Sequence, residues 1–152
     1  MKIVKTNETQ WEPALQRGKF SQRSKACAAG SKLGASIWEL APGKTSFPFH
    51  MHHVTEEALF VLSGHAKVRT PGGQTPIGPG DFVSFPAGDC AHQLINDGTE
   101  PCVYLGLSAG QGMDLVEYPD SKKLGIAVST ASGPKRHIFL EKDEADYFAG
   151  ED

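Results

Sequence analysis

The sequence predicts an all-β domain whose strands close into a barrel or stack as two sheets. Three observations predict it. Seventeen glycines and ten prolines punctuate a chain of 152 residues, a density that a helical bundle does not tolerate. They fall between short apolar stretches of strand length, and these recur at the spacing of multi-stranded β folds. The stretches are joined by Ala41-Pro42-Gly43, Ser63-Gly64, Pro71-Gly72-Gly73 and Gly78-Pro79-Gly80, sequences suited to tight reversal or positive φ.

Residues 1–35 read as an N-terminal arm. Trp11, Leu15 and Phe20 are scattered among polar residues, and the small-residue stretch Ala26 to Gly30 has no period. From Ser36 the strands become regular, with expected segments at Ser36 to Leu40, Ser46 to His52, Glu57 to Leu62, His65 to Thr70, Asp81 to Pro86, Ala91 to Asn96, Cys102 to Ser108 and Asp114 to Tyr118. Side chains alternate across a strand, so Glu57, Leu59 and Val61 share one face while Ala58, Phe60 and Leu62 share the other. Both faces are apolar, and a second subunit is expected to cover the outer one. Ala66 and Val68 instead alternate with His65, Lys67 and Arg69, which gives one buried and one solvated face. His92, Leu94 and Asn96 form a further row. A barrel over residues 36–119 is followed by a C-terminal extension, 120–152, expected to pack on it. There Tyr118-Pro119-Asp120-Ser121 is a turn, Leu124 to Val128 and His137 to Leu140 are edge strands, and Glu141 to Phe148 forms one or two helical turns with a solvated acidic face. No linker or second domain interrupts the chain.

Composition narrows the function. One domain of this length buries roughly two thirds of its unfolded surface and folds without staples. Three cysteines, Cys27, Cys90 and Cys102, with no C-x-x-C pair, argue against a disulfide framework or a thiolate zinc site and fit a reducing cytoplasm. No apolar run reaches the ~18 residues of a membrane span, and the N-terminus turns polar too early for a signal peptide. A formal charge of −3, with basic residues clustered only as Lys122-Lys123 and Lys135-Arg136, gives no general attraction for nucleic acid.

The chemistry lies in His50-X-His52, with Glu57 five residues beyond and His92 far downstream. Two histidines one residue apart on a strand point to the same side and can close on one ion. A carboxylate added to imidazole nitrogens suits Mn, Fe, Co, Ni or Zn better than Ca or Mg. Glu57 shares parity with Leu59 and Val61, whereas Glu56 points away. His53 is out of register with His52, and His65 and His137 read as surface residues.

Taken together, Gly43-(six residues)-His50-X-His52-(four)-Glu57-(six)-Gly64 and Gly80-(five)-Pro86-X-Gly88-(three)-His92-(three)-Asn96 resemble the two motifs of the cupin superfamily, over residues 36 to 108. Two spacings depart by one residue, before His50 and between Gly88 and His92. Both extra residues fall in turns. The resemblance implies a double-stranded β-helix, or jelly-roll barrel, holding one divalent transition metal on His50, His52, Glu57 and His92, with one or two coordination positions open. It also implies an enzyme acting on a small oxygenated metabolite, most concretely a sugar or sugar-phosphate isomerase; a homodimer is expected from the two apolar faces of the strand Glu57 to Leu62. A non-haem iron dioxygenase and a non-catalytic metal- or ligand-binding protein are the alternatives. No catalytic base is identifiable: Glu39 and Tyr104 are pocket-facing options that also read as structural. No phosphate-binding loop is apparent. Cys90 reads as a small loop side chain, since nothing cationic is placed to lower its pKa, and Phe47, Phe49, Phe82 and Phe85 read as lining or supporting an apolar cavity.

Overall fold

The alternation of apolar residues and the glycine turns produce fourteen strands and two single 3-10 turns in a computed structural model that describes residues 3–29, 32–110 and 112–151. The strands are β1 (Leu15–Arg17), β2 (Phe20–Ala29), β3 (Leu33–Leu40), β4 (Lys44–Thr45), β5 (Met51–His52), β6 (Glu56–Ser63) and β7 (Ala66–Thr70). They continue as β8 (Gly73–Ile77), β9 (Phe82–Phe85), β10 (Gln93–Asn96), β11 (Cys102–Ala109), β12 (Met113–Tyr118), β13 (Lys123–Thr130) and β14 (Gly133–Leu140). Gly30, at the end of the small-residue stretch, lies outside the described residues.

The large sheet has the order β8-β7-β10-β4-β2-β3-β11-β6-β9, with β1 beside β2; a smaller sheet runs β14-β13-β12-β5. Every pairing is antiparallel except Phe20 with Thr45, between β2 and β4. The curled large sheet and the smaller one make the double-stranded β-helix that the motifs imply. The only bridge outside the named strands among the described residues joins His50 to His92.

Ten of the most buried residues form one core: Leu40, Leu59, Val61, Ala66, Val68, Ile77, Phe85, Leu94, Cys102 and Tyr104. The parity expected for Leu59 with Val61, and for Ala66 with Val68, is present. Asn96 is fully buried, and its amide is spent on the Leu40 and Glu100 carbonyls and the Gly98 N–H, which is what a polar group in a core requires.

The N-terminal arm is anchored rather than loose. Its β2 enters the large sheet between β3 and β4, and Arg23 and Lys25 both sit over the Trp11 ring at 4.7 Å. The hairpin β7–β8 had no expected second strand. In the C-terminal extension the two expected edge strands lengthen into the β13–β14 hairpin, with β13 interior to its sheet. The helical turns expected over Glu141 to Phe148 reduce to one 3-10 turn at Glu141–Asp143. Among the described residues no helix is long and apolar enough to cross a membrane, and all three cysteines are free thiols.

Phe82 departs from the cavity-lining expectation. Cross-strand register aligns Ile37, Leu105, Phe60 and Phe82 across β3, β11, β6 and β9, on the face away from Leu59 and Val61. Within one chain Phe60 is 37% and Phe82 62% exposed. The strand β6 is thus apolar on both faces but covered on only one.

Gly64 closes the β6–β7 turn at φ +74°, and a Cβ there would lie 2.1 Å from the Pro101 carbonyl oxygen. Gly64→Ala is expected to cost about 3 kcal/mol or more, from left-handed strain plus a backbone clash. Gly80→Ala, at φ +93° with open space around it, should cost only about 1–2 kcal/mol. Urea unfolding of the two variants measures the difference.

Candidate metal centre

Two of the three imidazoles, those of His50 and His52, are aimed by what their Nδ1 binds. Pro48 supplies a carbonyl 2.8 Å from His50 Nδ1. A carbonyl only accepts, so that nitrogen carries the proton and the other, Nε2, faces the interior. His52 lies on β5, paired with β12 through Val116, and its Nδ1 bonds the Asp114 carboxylate. Asp114 also accepts the Val54 N–H at 3.0 Å and the Thr55 N–H at 3.4 Å, which fixes both the carboxylate and the turn after His52. His92 exchanges backbone hydrogen bonds with His50, at 3.2 and 2.8 Å. Its ring stacks on Phe85, centroids 3.7 Å apart, and its Nδ1 is buried without a hydrogen-bond partner.

Glu57 is the meeting point. Its Oε2 lies 3.7 Å from His50 Nε2, 3.5 Å from His52 Nε2 and 3.2 Å from His92 Nε2. The donor atoms of His50, His52 and Glu57 all fall within 4.8 Å of one another. His92 is not part of that mutual set, but approaches through Glu57 and through its ring, 4.6 Å from that of His50. Burial on its own would push the Glu57 carboxyl up, but the imidazoles of His50, His92 and His52 around it together hold it well below the usual carboxylate range. Burial lowers the pKa of His92 against the opposing pull of Glu57.

This donor set fits a divalent transition metal. With Nδ1 protonated on His50 and His52, both Nε2 lone pairs face carboxylate lone pairs, an acceptor-to-acceptor arrangement that needs positive charge between them. Protons on the rings would supply it piecemeal; one cation supplies it for all the donors together. Borderline nitrogens plus one carboxylate oxygen match Mn, Fe, Co, Ni or Zn.

Beside the cluster lies a cavity of about 370 Å³ in the barrel, lined by Trp38, Phe47, Leu59, Phe85, Leu94 and Tyr104 among others. Tyr104 donates its hydroxyl to Gln22 Oε1 at 3.3 Å, and burial pushes its pKa up, so it faces the cavity as a protonated phenol. Glu39 does not line this cavity. It pairs through both oxygens with Arg23 on the neighbouring strand β2, at 2.8 and 3.1 Å, and shares its face of β3 with Ile37 rather than with Trp38. Glu56 is exposed and His53 bonds Glu117 at 2.8 Å. Phe49 is buried under the Arg69 guanidinium. Burial raises the Cys90 thiol pKa, as do Asp89's charge and hydrogen bond. Sequence reasoning missed Asp114. Its signal was an acid in phase with buried Val116 on an alternating strand, where an unpaired charge does not belong.

A family model described as "Cupin domain" matches residues 36–108. Among solved structures, a proposed sugar phosphate isomerase of Acidithiobacillus ferrooxidans is 29% identical, covering 91% of this chain and 88% of its own, with a TM-score of 0.76. A sugar phosphate isomerase of the cupin superfamily from Silicibacter pomeroyi is 22% identical, with 94% and 95% coverage and a TM-score of 0.79. A proposed oxalate decarboxylase of Thermotoga maritima is 20% identical, with 72% and 99% coverage and a TM-score of 0.64. Among curated proteins nothing matches.

Asp114→Ala removes the acceptor that aims His52. It is expected to weaken metal affinity about 10- to 100-fold, whereas Asp114→Asn, whose amide oxygen still accepts from Nδ1, should lose less. Competition with a chromogenic chelator reads both.

Proposed function

This chain is a small cupin-domain protein, and from that premise we propose that it is a metal-dependent enzyme acting on a small oxygenated metabolite, with isomerisation of a sugar or sugar phosphate as the specific reaction. The observation that carries this reading is the convergence of the donor atoms of His50, His52 and Glu57, with His50 and Glu57 at the wall of the barrel cavity. His92 is proposed as the fourth ligand. The identity of 29% to a proposed sugar phosphate isomerase over most of both chains supports the choice of reaction.

A divalent ion held there supplies Lewis-acid polarisation of a carbonyl or hydroxyl oxygen. The protein's own part is binding, orientation and exclusion of water. Glu57, held ionised, suits ligation rather than proton shuttling, since a general base works best with a pKa near the operating pH. The Tyr104 hydroxyl oxygen, its proton given to Gln22 Oε1, is an acceptor for a substrate hydroxyl, and Gln93, held by the Phe47 carbonyl and Arg69, keeps its second amide hydrogen to donate from the barrel wall. Trp38, Phe47 and Phe85 keep that wall dry.

A second copy of the chain is proposed to cover the Ile37–Leu105–Phe60–Phe82 row, because contiguous exposed apolar surface on a sheet favours burial. Replacing both Phe60 and Phe82 by Glu is expected to convert a dimer to a monomer in light scattering; a monomeric wild type ends this part of the proposal.

The activity is tested by metal analysis of protein purified without chelator, joined to a screen of aldoses, ketoses and their phosphates with oxygen uptake monitored. Bound metal with isomer exchange, lost in His50→Ala and His92→Ala without loss of fold, is the expected result. Oxygen consumption would replace isomerisation by dioxygenation, and metal retained in full by both variants would refute the ligand set.

A further inference from the structure

A second cavity, about 390 Å³, shares Gly34, Glu57 and Ser108 with the barrel interior but otherwise has a different wall. It is bounded by the start of β3, the β11–β12 connection and the β13–β14 hairpin. Its charged lining is His52, Glu57, Asp114, Lys32 and Arg136, with hydroxyls from Thr55, Ser108 and Ser129. The two carboxylates are already engaged, Glu57 by three imidazoles and Asp114 by His52 and two backbone N–H groups. The two cations are not. Among the described residues no acid pairs with Lys32 or Arg136, whereas Lys5, Arg23, Lys67 and Arg69 each have one.

We propose that this cavity is an anion subsite, in which Lys32 and Arg136 hold a phosphate or carboxylate group of a substrate whose neighbouring oxygens reach the centre at His50, His52 and Glu57. The proposal rests on the metal-dependent reading above and adds to it the substrate class, an anionic metabolite. Charge places the group here. A divalent ion would offset the two carboxylates, which leaves the two cations as net positive charge in a cleft open to solvent. The barrel interior is the poorer choice: beyond Glu57 and its imidazoles its lining has no charged group, only neutral polar residues such as Gln93 and Tyr104 among the apolar Trp38, Phe47, Leu59, Phe85 and Leu94, so an anion there would lose its hydration without gaining a counter-charge. Arg136 brings the planar fork that matches phosphate or carboxylate, and Lys32 a mobile point charge. This arrangement needs no glycine-rich phosphate loop, and both residues lie outside the stretch matched by the cupin model, 36–108.

The test is calorimetric titration of the protein, its metal content measured, with inorganic phosphate and in parallel with acetate at low salt. Wild type should bind at least one anion, and tighter binding of phosphate or of acetate identifies which group the subsite takes. The double variant Lys32→Gln/Arg136→Gln is expected to lose about ten- to a hundredfold in affinity with metal content unchanged, and Arg136→Lys, which keeps the charge but not the fork, to lose less than that. Equal affinity in wild type and double variant, or no binding of either anion to wild type, overturns the subsite. The same titration in His50→Ala separates the two ideas. Anion binding that persists there and still falls on removing the cations upholds the subsite even if no metal is found in wild type. Metal bound normally with anion affinity indifferent to the cations sinks the subsite alone.

Discussion

A carboxylate withdrawn from water and ringed by imidazoles is the constraint from which the centre is built. Glu57 stays ionised only if positive charge or hydrogen-bond donors reach its oxygens, since isolated buried charge is prohibitive. Three Nε2 atoms face its Oε2, so each ring's other nitrogen must be dealt with elsewhere. His50 passes the requirement to the Pro48 carbonyl and His52 passes it to Asp114. His92 is held instead by the Phe85 ring and by its reciprocal backbone bonds to His50. The demand made by one side chain therefore spreads outward into a proline carbonyl, a strand of the second sheet and a core aromatic.

Closing the double-stranded β-helix and assembling the cage are for this reason the same event. Glu57 belongs to the large sheet, paired with Ser108 and Phe85; His52 belongs to the small one, paired with Val116; and His50 joins His92 by a bridge outside the named strands. The donors come from both sides of a seam. Backbone bonds such as Gly88 N–H to the His52 carbonyl, at 2.8 Å, hold that seam shut. A ligand bound to the folded state alone would add its binding free energy to the stability of the closed barrel.

The sequence made the barrel legible where one face is apolar and one is not. Leu59 with Val61 and Ala66 with Val68 alternate cleanly, and the glycine turns mark their ends. β2 was illegible because its buried positions include Ser21 and Gln22, polar residues that hide the period of two. β8 escaped because Gly73 and Pro76 bracket Gln and Thr, so a strand exposed along most of its length reads as loop. The same limit governs the site. His50, His52 and Glu57 announce themselves by spacing and parity, whereas Asp114 is one acid among eighteen acidic residues, and only the fold brings it to His52 from sixty-two positions away. Phe82 was misplaced because parity tells which residues share a face and not which face is covered.

The division between the matched residues and the rest has a physical basis. A metal cage demands fixed distances among a few donors, so its residues concentrate in two short segments framed by turns that tolerate little change, as Gly64 shows. What enters the cage is decided by walls that need only shape and charge, and such walls can come from any strand that reaches the opening. In the proposed anion subsite they come from the residues that open β3 and from the C-terminal hairpin, where Lys32 and Arg136 stand. Structures named for isomerisation and for decarboxylation share this fold, and a shared fold does not fix the reaction. The chemistry that distinguishes this protein from its structural relatives is therefore to be sought in the residues flanking the motifs, above all where the small sheet meets the open side of the cage.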